Sequence, residues 1–398
     1  MVVAGPLLWL LGCQAFSTLA AMLLLPVMPL YVATLAGTTP VDAAHWSAAA
    51  LAAPALGTLL LGPLAGRCCD RFGPRALASG GCLVFAAGLA LTATLDHAAA
   101  LLLGRLLQGA SVLSVGITAA VIESAGRFAG RALARLESAT AAGSLGGPLL
   151  GGLSLQAGNM RPLLGLAAVL MAGMAWGLWR SIPPRPARAP ITPPLVMPWR
   201  WRGRSRRWLL SILLVQTAAF GLAGAFVLFL AERYAALPLL AVWAGVLHAG
   251  AWGATLIATP CWGRCNRLAS ASPLFRLGAC STALCLLALT MAQPLWSAVL
   301  WRILLGASYA ALMQSALLAL VSTSSLRCRG QLVGSSRSVA AFGQLLGPLL
   351  LVTLTPHVSA SWVLVVIALL FVAAGALSPW RRWSPPADGA RHRRSVTP

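Results

Sequence analysis

The chain has no lysine and very little acid. All 29 basic residues among its 398 are arginine, against seven aspartates and glutamates, for a formal net charge of +22. Without lysine there is no Walker phosphate loop, which excludes ATP-driven work by this chain. Charged residues are 9% of the sequence, where a soluble globular domain carries about 25%. So little charge cannot cover a water-facing surface, and a soluble enzyme is excluded. The nine cysteines include no C-x-x-C pair, and Cys261 with Cys265 has no nearby histidine to complete a zinc set. Free thiols are expected. No nucleophile triad stands out, so the sequence indicates no enzyme, no cofactor and no metal.

What is present is apolar. Hydrophobic residues are 59% of the chain, and the glycines and prolines sit inside runs of about 20 residues, long enough to cross a bilayer. The fold class read from this pattern is an all-α polytopic membrane protein of twelve helices. Six are expected at Leu7–Thr34, His45–Ala65, Ala76–Leu95, Leu101–Ile122, Leu136–Gln156 and Pro162–Trp179. Six more are expected at Trp208–Leu230, Leu239–Thr259, Leu274–Ala292, Leu295–Val321, Ser338–Thr355 and Trp362–Leu377.

The arginines cluster in alternate connections. Arg67, Arg71 and Arg75 follow the second run, Arg127, Arg131 and Arg135 the fourth, Arg264 and Arg267 the eighth, and Arg327 and Arg329 the tenth. The opposite connections hold Asp42, Asp96, Asn159 and Glu232, with only Arg161 and Arg233 as basic exceptions. Under the positive-inside rule both termini are cytoplasmic, in the cytoplasmic membrane of a bacterium. Charges scattered between apolar runs suit a lipid bilayer and exclude a nucleic-acid partner. The expected domains are a six-helix bundle over 1–180, a Pro/Arg-rich linker over 181–207, a second bundle over 208–380 and a basic tail over 381–398. The N-terminal run has no basic residue before Arg67 and is interrupted by Pro26 and Pro29, so it reads as a retained helix.

The two halves repeat. Gly66-Arg67-Cys68 recurs as Gly263-Arg264-Cys265 and Arg105-Leu-Leu-Gln-Gly-Ala-Ser as Arg302-Ile-Leu-Leu-Gly-Ala-Ser, each 197 residues on. Gly143-x-x-x-Gly147-Pro148 recurs as Gly343-x-x-x-Gly347-Pro348 after 200. Transporters built from repeats place substrate between them near the bilayer midplane.

With these motifs the chain resembles the major facilitator superfamily, in its drug:proton antiporter branch of twelve-helix exporters, of which a siderophore-exporter subgroup is one candidate. The likeness rests on Gly66-x-x-x-Asp70-Arg71-x-Gly73-Pro74-Arg75 after the second run and on Arg105-x-x-Gln108-Gly109 in the fourth. It rests most on Gly143-x-x-x-Gly147-Pro148-x-x-Gly151-Gly152 in the fifth, which in that family marks exporters. Pro74 departs from the pattern, which usually has a basic residue there. The resemblance implies that Arg105 couples proton to substrate movement, and that Gly66, Asp70, Arg71, Gly73, Arg75 and Glu123 gate the conformational change with the helix-5 glycines and Pro148.

Read on their own chemistry, the candidates divide. Arg105 lies nine residues past Asp96 of the extracellular connection, roughly 13 Å along a helix, where a guanidinium demands a partner or a wet cavity. Carbonyls and Gln108 offer a purely structural alternative. Arg302 is its mirror. His248 in the eighth run has a near-neutral intrinsic pKa and is a candidate proton carrier or a neutral interhelical partner. Gln14, Gln216, Gln314 and Tyr309 complete the residues assigned to substrate and proton, with Phe220, Phe226 and Phe229 as further aromatic candidates. Glu123 is about 27 Å along the helix from Arg105, placed to pair with Arg71 or Arg75. Glu137 falls in the first turn of the fifth helix, where its charge suits the dipole. An Asp70 carboxylate suits the N-terminus of a helix from the other half, and the resemblance implies that this is the eleventh helix, beginning near Ser338.

No acid is expected in the middle of a helix, and lipophilic cations need a buried negative charge to offset desolvation. The expected substrate is therefore an anionic or zwitterionic metabolite such as a carboxylate siderophore, exported against protons by a monomer. A multidrug antiporter is the rival, and a non-transporting receptor on the same fold a more distant one.

Overall fold

The computed structural model describes residues 4–25, 27–35, 40–184, 197, 200–234, 240–266, 271–291, 294–323 and 328–379. Most of the expected linker, the whole tail 381–398, Pro26, Arg267 and Arg327 lie outside the described residues. Among those described, the regular structure is entirely helical. The first half comprises α1 (Ala4–Met22), α2 (Met28–Ala33), α3 (Pro40–Phe72), α4 (Pro74–Thr94), α5 (Ala98–Ala110), α6 (Leu113–Ala125), α7 (Ala129–Gln156) and α8 (Met160–Ser181). The second comprises α9 (Gly203–Arg233), α10 (Leu240–Cys265), α11 (Ala271–Thr290), α12 (Leu295–Tyr309), α13 (Leu312–Ser322), α14 (Arg329–Leu354) and α15 (Ala360–Leu377).

Ten helical segments are long and apolar enough to cross a membrane by length and composition, with α5–α6 and α12–α13 each counting as one. The two other long helices, α7 and α10, pack against each other. Both paired segments break where the sequence predicts one helix. Ser111 caps the end of α5, its amide donating to the Leu107 carbonyl at 2.8 Å, and Val112 stands at φ 43°, a left-handed conformation costly for a β-branched residue. The matching break falls at Ala310–Ala311.

Several helices begin earlier than expected. α7 starts at Ala129 and not Leu136, α9 at Gly203 and not Trp208, and α14 at Arg329 and not Ser338. Their first turns carry Arg131, Arg135, Arg204, Arg206, Gln331 and Ser335, which read as loop by hydropathy. In α7 and α14 those turns pack on the opposite half, Gly130 near Asn266 and Gly330 on Asp70, so one side of each stretch is lined by protein and not by lipid. At the other end of the same error, α3 runs on through Gly66 and Asp70 to Phe72, and the motif residues lie on its last turns. Gly73, at φ 85°, then stops the helix in a conformation open to glycine, and Pro74 begins α4.

Buried apolar side chains form two clusters. One gathers residues from Leu7 to Ile182 with Leu317, Val321 and Val333, and the other runs from Trp208 to Ala374. In lipid the apolar effect does little between helices, so close packing and interhelical hydrogen bonds hold them. The repeat is written in those contacts. A Cβ on Gly109 would strike the Pro54 carbonyl, and Thr58 donates to the Gly109 carbonyl at 3.1 Å. In the second half a Cβ on Gly306 would strike the Ala251 carbonyl, and Thr255 donates to the Gly306 carbonyl at 2.8 Å. All three positions are displaced by the same 197 residues.

Leu8, Leu60, Val169, Ile257 and Leu284 point outward, as lipid-facing residues do. Arg75 lies over Trp179 at 4.0 Å and Arg180 over Trp176 at 5.5 Å, joining basic residues to aromatics near helix ends. No disulfide forms among the described cysteines, and the Cys13 and Cys82 sulfurs lie 3.3 Å apart inside the first cluster.

Candidate functional site

Arg105 is buried between three helices. Its Nη1 donates to the Ala21 carbonyl at 2.9 Å and to Gln108 Oε1 at 2.9 Å, and its Nε to the Ala50 carbonyl at 3.3 Å. Each such charged hydrogen bond is worth about 1.5–3 kcal/mol, so the set offsets a desolvation cost of several kcal/mol. Arg105 therefore braces α1, α3 and α5. Gln14 on α1 donates to Thr18 at 3.2 Å and to Thr140 of α7 at 3.1 Å, while its Oε1 has no partner among the described residues.

Arg302 occupies the corresponding place with weaker support. Its guanidinium lies over Phe226 at 4.4 Å and approaches His248 Nδ1 at 3.4 Å, and its Nε has no hydrogen-bond partner among the described residues. Trp252 Nε1 donates to His248 Nε2 at 3.1 Å. A neutral imidazole accepts at one nitrogen only, so the ring cannot satisfy both neighbours at once. A desolvated cation–π contact supplies about 2 kcal/mol, less than the burial costs. Of the two mirrored arginines, the one at 302 is left with the unmet demand for an acceptor.

A third polar group lies between the halves. Glu137 is the ninth residue of α7, about 12 Å from its start, and not in the first turn. It is packed around by the chain, yet its side chain keeps accessible surface, and it is close enough to Arg337 of α14 and Tyr309 of α12 for their charges to interact. Arg337 Nη2 donates to Thr118 of α6 at 2.9 Å, and its Nε has no partner among the described residues. Among those residues Glu137 makes no ion pair within 4.0 Å. The expectation that no acid sits inside a helix is thereby corrected. Tyr309 also packs edge-on against Phe371, with centroids 6.4 Å apart.

Asp70 closes the basic end of the molecule. Its carboxylate accepts from the Gly330 and Gln331 amides at 2.7 and 2.9 Å, capping α14 from the other half, eight residues before the expected point at Ser338. Above it α3 and α14 touch backbone to backbone. A Cβ on Gly62 would lie 2.8 Å from the Gly334 carbonyl, one on Gly66 would strike the Gly330 carbonyl, and Ser338 donates to the Leu59 carbonyl. On the opposite seam Gly263 of α10 meets Ala134 of α7. Glu123 acts electrostatically on Arg329, while Arg71 lies over Phe72.

The remaining candidates scatter. Gly143 and Gly147 of α7 abut the α1 backbone at Ala15 and Leu19 and Gly151 abuts Leu23 just beyond it, with Pro148 inside the helix, whereas Gly152 has open space around it. Gln216 packs on Gly343, the equivalent seam of α9 and α14. Gln314 lies away from the arginines, donating to the Ala310 carbonyl at 2.8 Å and the Thr259 carbonyl at 3.3 Å. Phe229 is fully buried in the second core cluster, and Phe226 is the platform under Arg302. Arg161 pairs with Asp96, which accounts for one basic exception on that side. Sequence reasoning missed Arg337 because it fell before the expected start of its helix. The signal was there: Glu137 and Arg337 are 200 residues apart, the spacing of Gly143 and Gly343.

Comparison with known proteins gives this architecture its relations. The model of the Major Facilitator Superfamily matches residues 10–249. The chain is similar to the staphyloferrin B transporter of Staphylococcus aureus (strain NCTC 8325 / PS 47), at 26% identity over 385 residues, covering 92% of this chain and 90% of that protein. Among solved structures it is similar to the human organic anion transporter MFSD10 (TETRAN), with a TM-score of 0.80 at 19% identity, over 94% of this chain and 98% of that one. It is also similar to the E. coli fucose:proton symporter FucP, with a TM-score of 0.69 at 15% identity, over 94% and 98% of the two chains.

Proposed function

Because the chain belongs to the Major Facilitator Superfamily, we propose that it is a proton-coupled secondary exporter of a carboxylate-bearing siderophore or a related metabolite. It works as a single chain in a bacterial cytoplasmic membrane, with both termini in the cytoplasm, by rocking two bundles around a central site in the manner of drug:proton antiporters. The observation that carries the substrate class is the charge of the interior. The described interior sets three arginines, Arg105, Arg302 and Arg337, against the carboxylate of Glu137, of which Arg337 acts on it directly, and the Nε atoms of Arg302 and Arg337 have no acceptor among the described residues. A multiply charged cation would meet net repulsion there, and an anion would meet donors that still need oxygens. The similarity to a staphyloferrin B transporter over most of both chains supports the same substrate class. The tight α1–α7 seam at Gly143, Gly147 and Gly151 supports export, since that seam carries the exporter motif.

The test is transport by the purified protein in proteoliposomes under an imposed proton gradient, with staphyloferrin B and ethidium as probes. Staphyloferrin B movement that stops when the gradient is collapsed supports the reading. Gradient-driven ethidium movement with no response to staphyloferrin B makes the protein a multidrug antiporter instead.

A further inference from the structure

The internal repeat places an acid opposite a base. Glu137 on α7 and Arg337 on α14 stand 200 residues apart, the same spacing that relates Gly143 to Gly343 on these helices, so they occupy corresponding positions in the two halves. Each is the ninth residue of its helix, about 12 Å above the closed basic end. Each keeps accessible surface while buried residues flank it, Leu136 on α7 and Ser336 and Ser338 on α14. Their charges interact, yet Glu137 has no ion pair within 4.0 Å among the described residues. Two opposite charges that attract without forming an ion pair, inside a membrane protein, each keep the capacity to bind a ligand group of the opposite sign. A pair built only to hold the halves together would close to contact, as Asp70 does on the α14 amides.

The surroundings favour two-ended recognition. Arg337 is aimed by its bond to Thr118, and its Nε still has a donor to offer. Tyr309 of α12 lies within electrostatic reach of Glu137 and carries a phenol that can donate or accept. Of the helices packed on α7, α1 and α13 bring the amides and hydroxyls of Gln14, Thr18 and Ser315 but no charge. Further charges on packed helices are Glu123 on α6, Arg161 and Arg180 on α8, and His248 and Arg264 on α10. Among the described residues, the charged and titratable groups shown to act on or feel the Glu137 carboxylate are Arg337 and Tyr309.

Resting on the function proposed above, we propose that Glu137 and Arg337 form a bipolar site for a zwitterionic substrate. The substrate's carboxylate docks on Arg337 and its protonated amine on Glu137. When the substrate leaves, a proton from water takes the ammonium's place on Glu137, and that proton is released to water when the next substrate arrives. Proton and amine cannot occupy one carboxylate together, so the site exchanges one for the other.

Carbodiimide labelling and transport test this together. Dicyclohexylcarbodiimide adds to a protonated carboxyl in apolar surroundings and ends as a stable N-acylurea, so in the intact substrate-free protein it modifies Glu137. In Arg337→Gln the rate rises at least threefold, because no neighbouring positive charge holds the carboxylate ionised. In proteoliposomes, Glu137→Gln and Arg337→Gln each lower staphyloferrin B transport at least tenfold, and Glu137→Asp restores a measurable part. Full transport in Glu137→Gln beside loss in Arg337→Gln describes a plain anion site and overturns the bipolar reading. A Glu137 that stays unmodified in both the parent and Arg337→Gln overturns it as well. A parent protein that labels at Glu137 but does not move staphyloferrin B sinks the substrate reading alone, since labelling needs no substrate.

Discussion

A guanidinium inside a bilayer needs oxygens, and the mirrored arginines at 105 and 302 find different numbers of them. Arg105 spreads a rigid fork over two carbonyls and an amide, whereas Arg302 rests on a ring and one side of an imidazole. Lysine keeps the charge of either but not the fork. Arg105→Lys should lose at least one charged hydrogen bond, about 1.5–3 kcal/mol, lowering the melting temperature by several degrees and transport at least tenfold. Arg302→Lys keeps its cation–π partner and should hold the melting temperature near that of the parent, while losing the Nε donor offered to substrate and lowering transport. Thermal unfolding in detergent and proteoliposome transport check both, and equal loss of melting temperature at the two positions would refute the asymmetry. Both arginines were legible in the sequence, because a charge in an apolar run cannot hide. Glu137 and Arg337 were not legible in the same way. Each lies among polar neighbours such as Arg135, Ser138, Ser335 and Ser336, so hydropathy assigns the stretch to a helix end while the fold buries it against the other half.

At the scale of helices, small residues decide which surfaces meet. The sequence shows a glycine-rich fifth helix but not which glycines touch. Helical spacing sets Gly143, Gly147 and Gly151 on one face, and only the structure shows that this face meets α1. Gly147→Ala would put a methyl 2.6 Å from the Leu19 carbonyl and should part α1 from α7, reducing transport severely. Gly152→Ala meets nothing and gains up to about 1 kcal/mol of helix propensity, so it should leave transport intact and raise the melting temperature slightly. Asp70 works on the same scale, as the cap of a helix from the other half. Asparagine there keeps one acceptor, loses the other, and removes the charge favoured at a helix N-terminus. The closed basic end should lose about 1.5–3 kcal/mol, a shift of roughly tenfold to a hundredfold toward the opposite conformer. Asp70→Asn should therefore cut transport while staphyloferrin B binding, measured by calorimetry, persists. Unchanged transport would show that the cap does not gate.

Across the whole molecule the two seams at the basic end are copies of one device. Gly62 and Gly66 of α3 meet Gly334 and Gly330 of α14, and Gly263 of α10 meets Ala134 of α7, with Gly66 and Gly263 at the repeat spacing of 197. If the bundles rock as rigid bodies, both seams must part before the interior opens at this end, and locking either one is enough to stop the cycle. The spacing for such a lock is nearly present, because a Cβ on Gly62 would stand 3.0 Å from the Ser338 Cβ, against about 3.8 Å in a disulfide. In a background where the nine native cysteines are replaced, Gly62→Cys with Ser338→Cys should form a disulfide under mild oxidant and transport should stop. Gly263→Cys with Ala134→Cys should do the same, and reductant should restore transport in both. Each single cysteine, oxidised alone, serves as the control for disturbance of the packing. Transport that continues through a quantitatively cross-linked seam would mean that the halves do not separate here, and the rocking mechanism would fail for this protein.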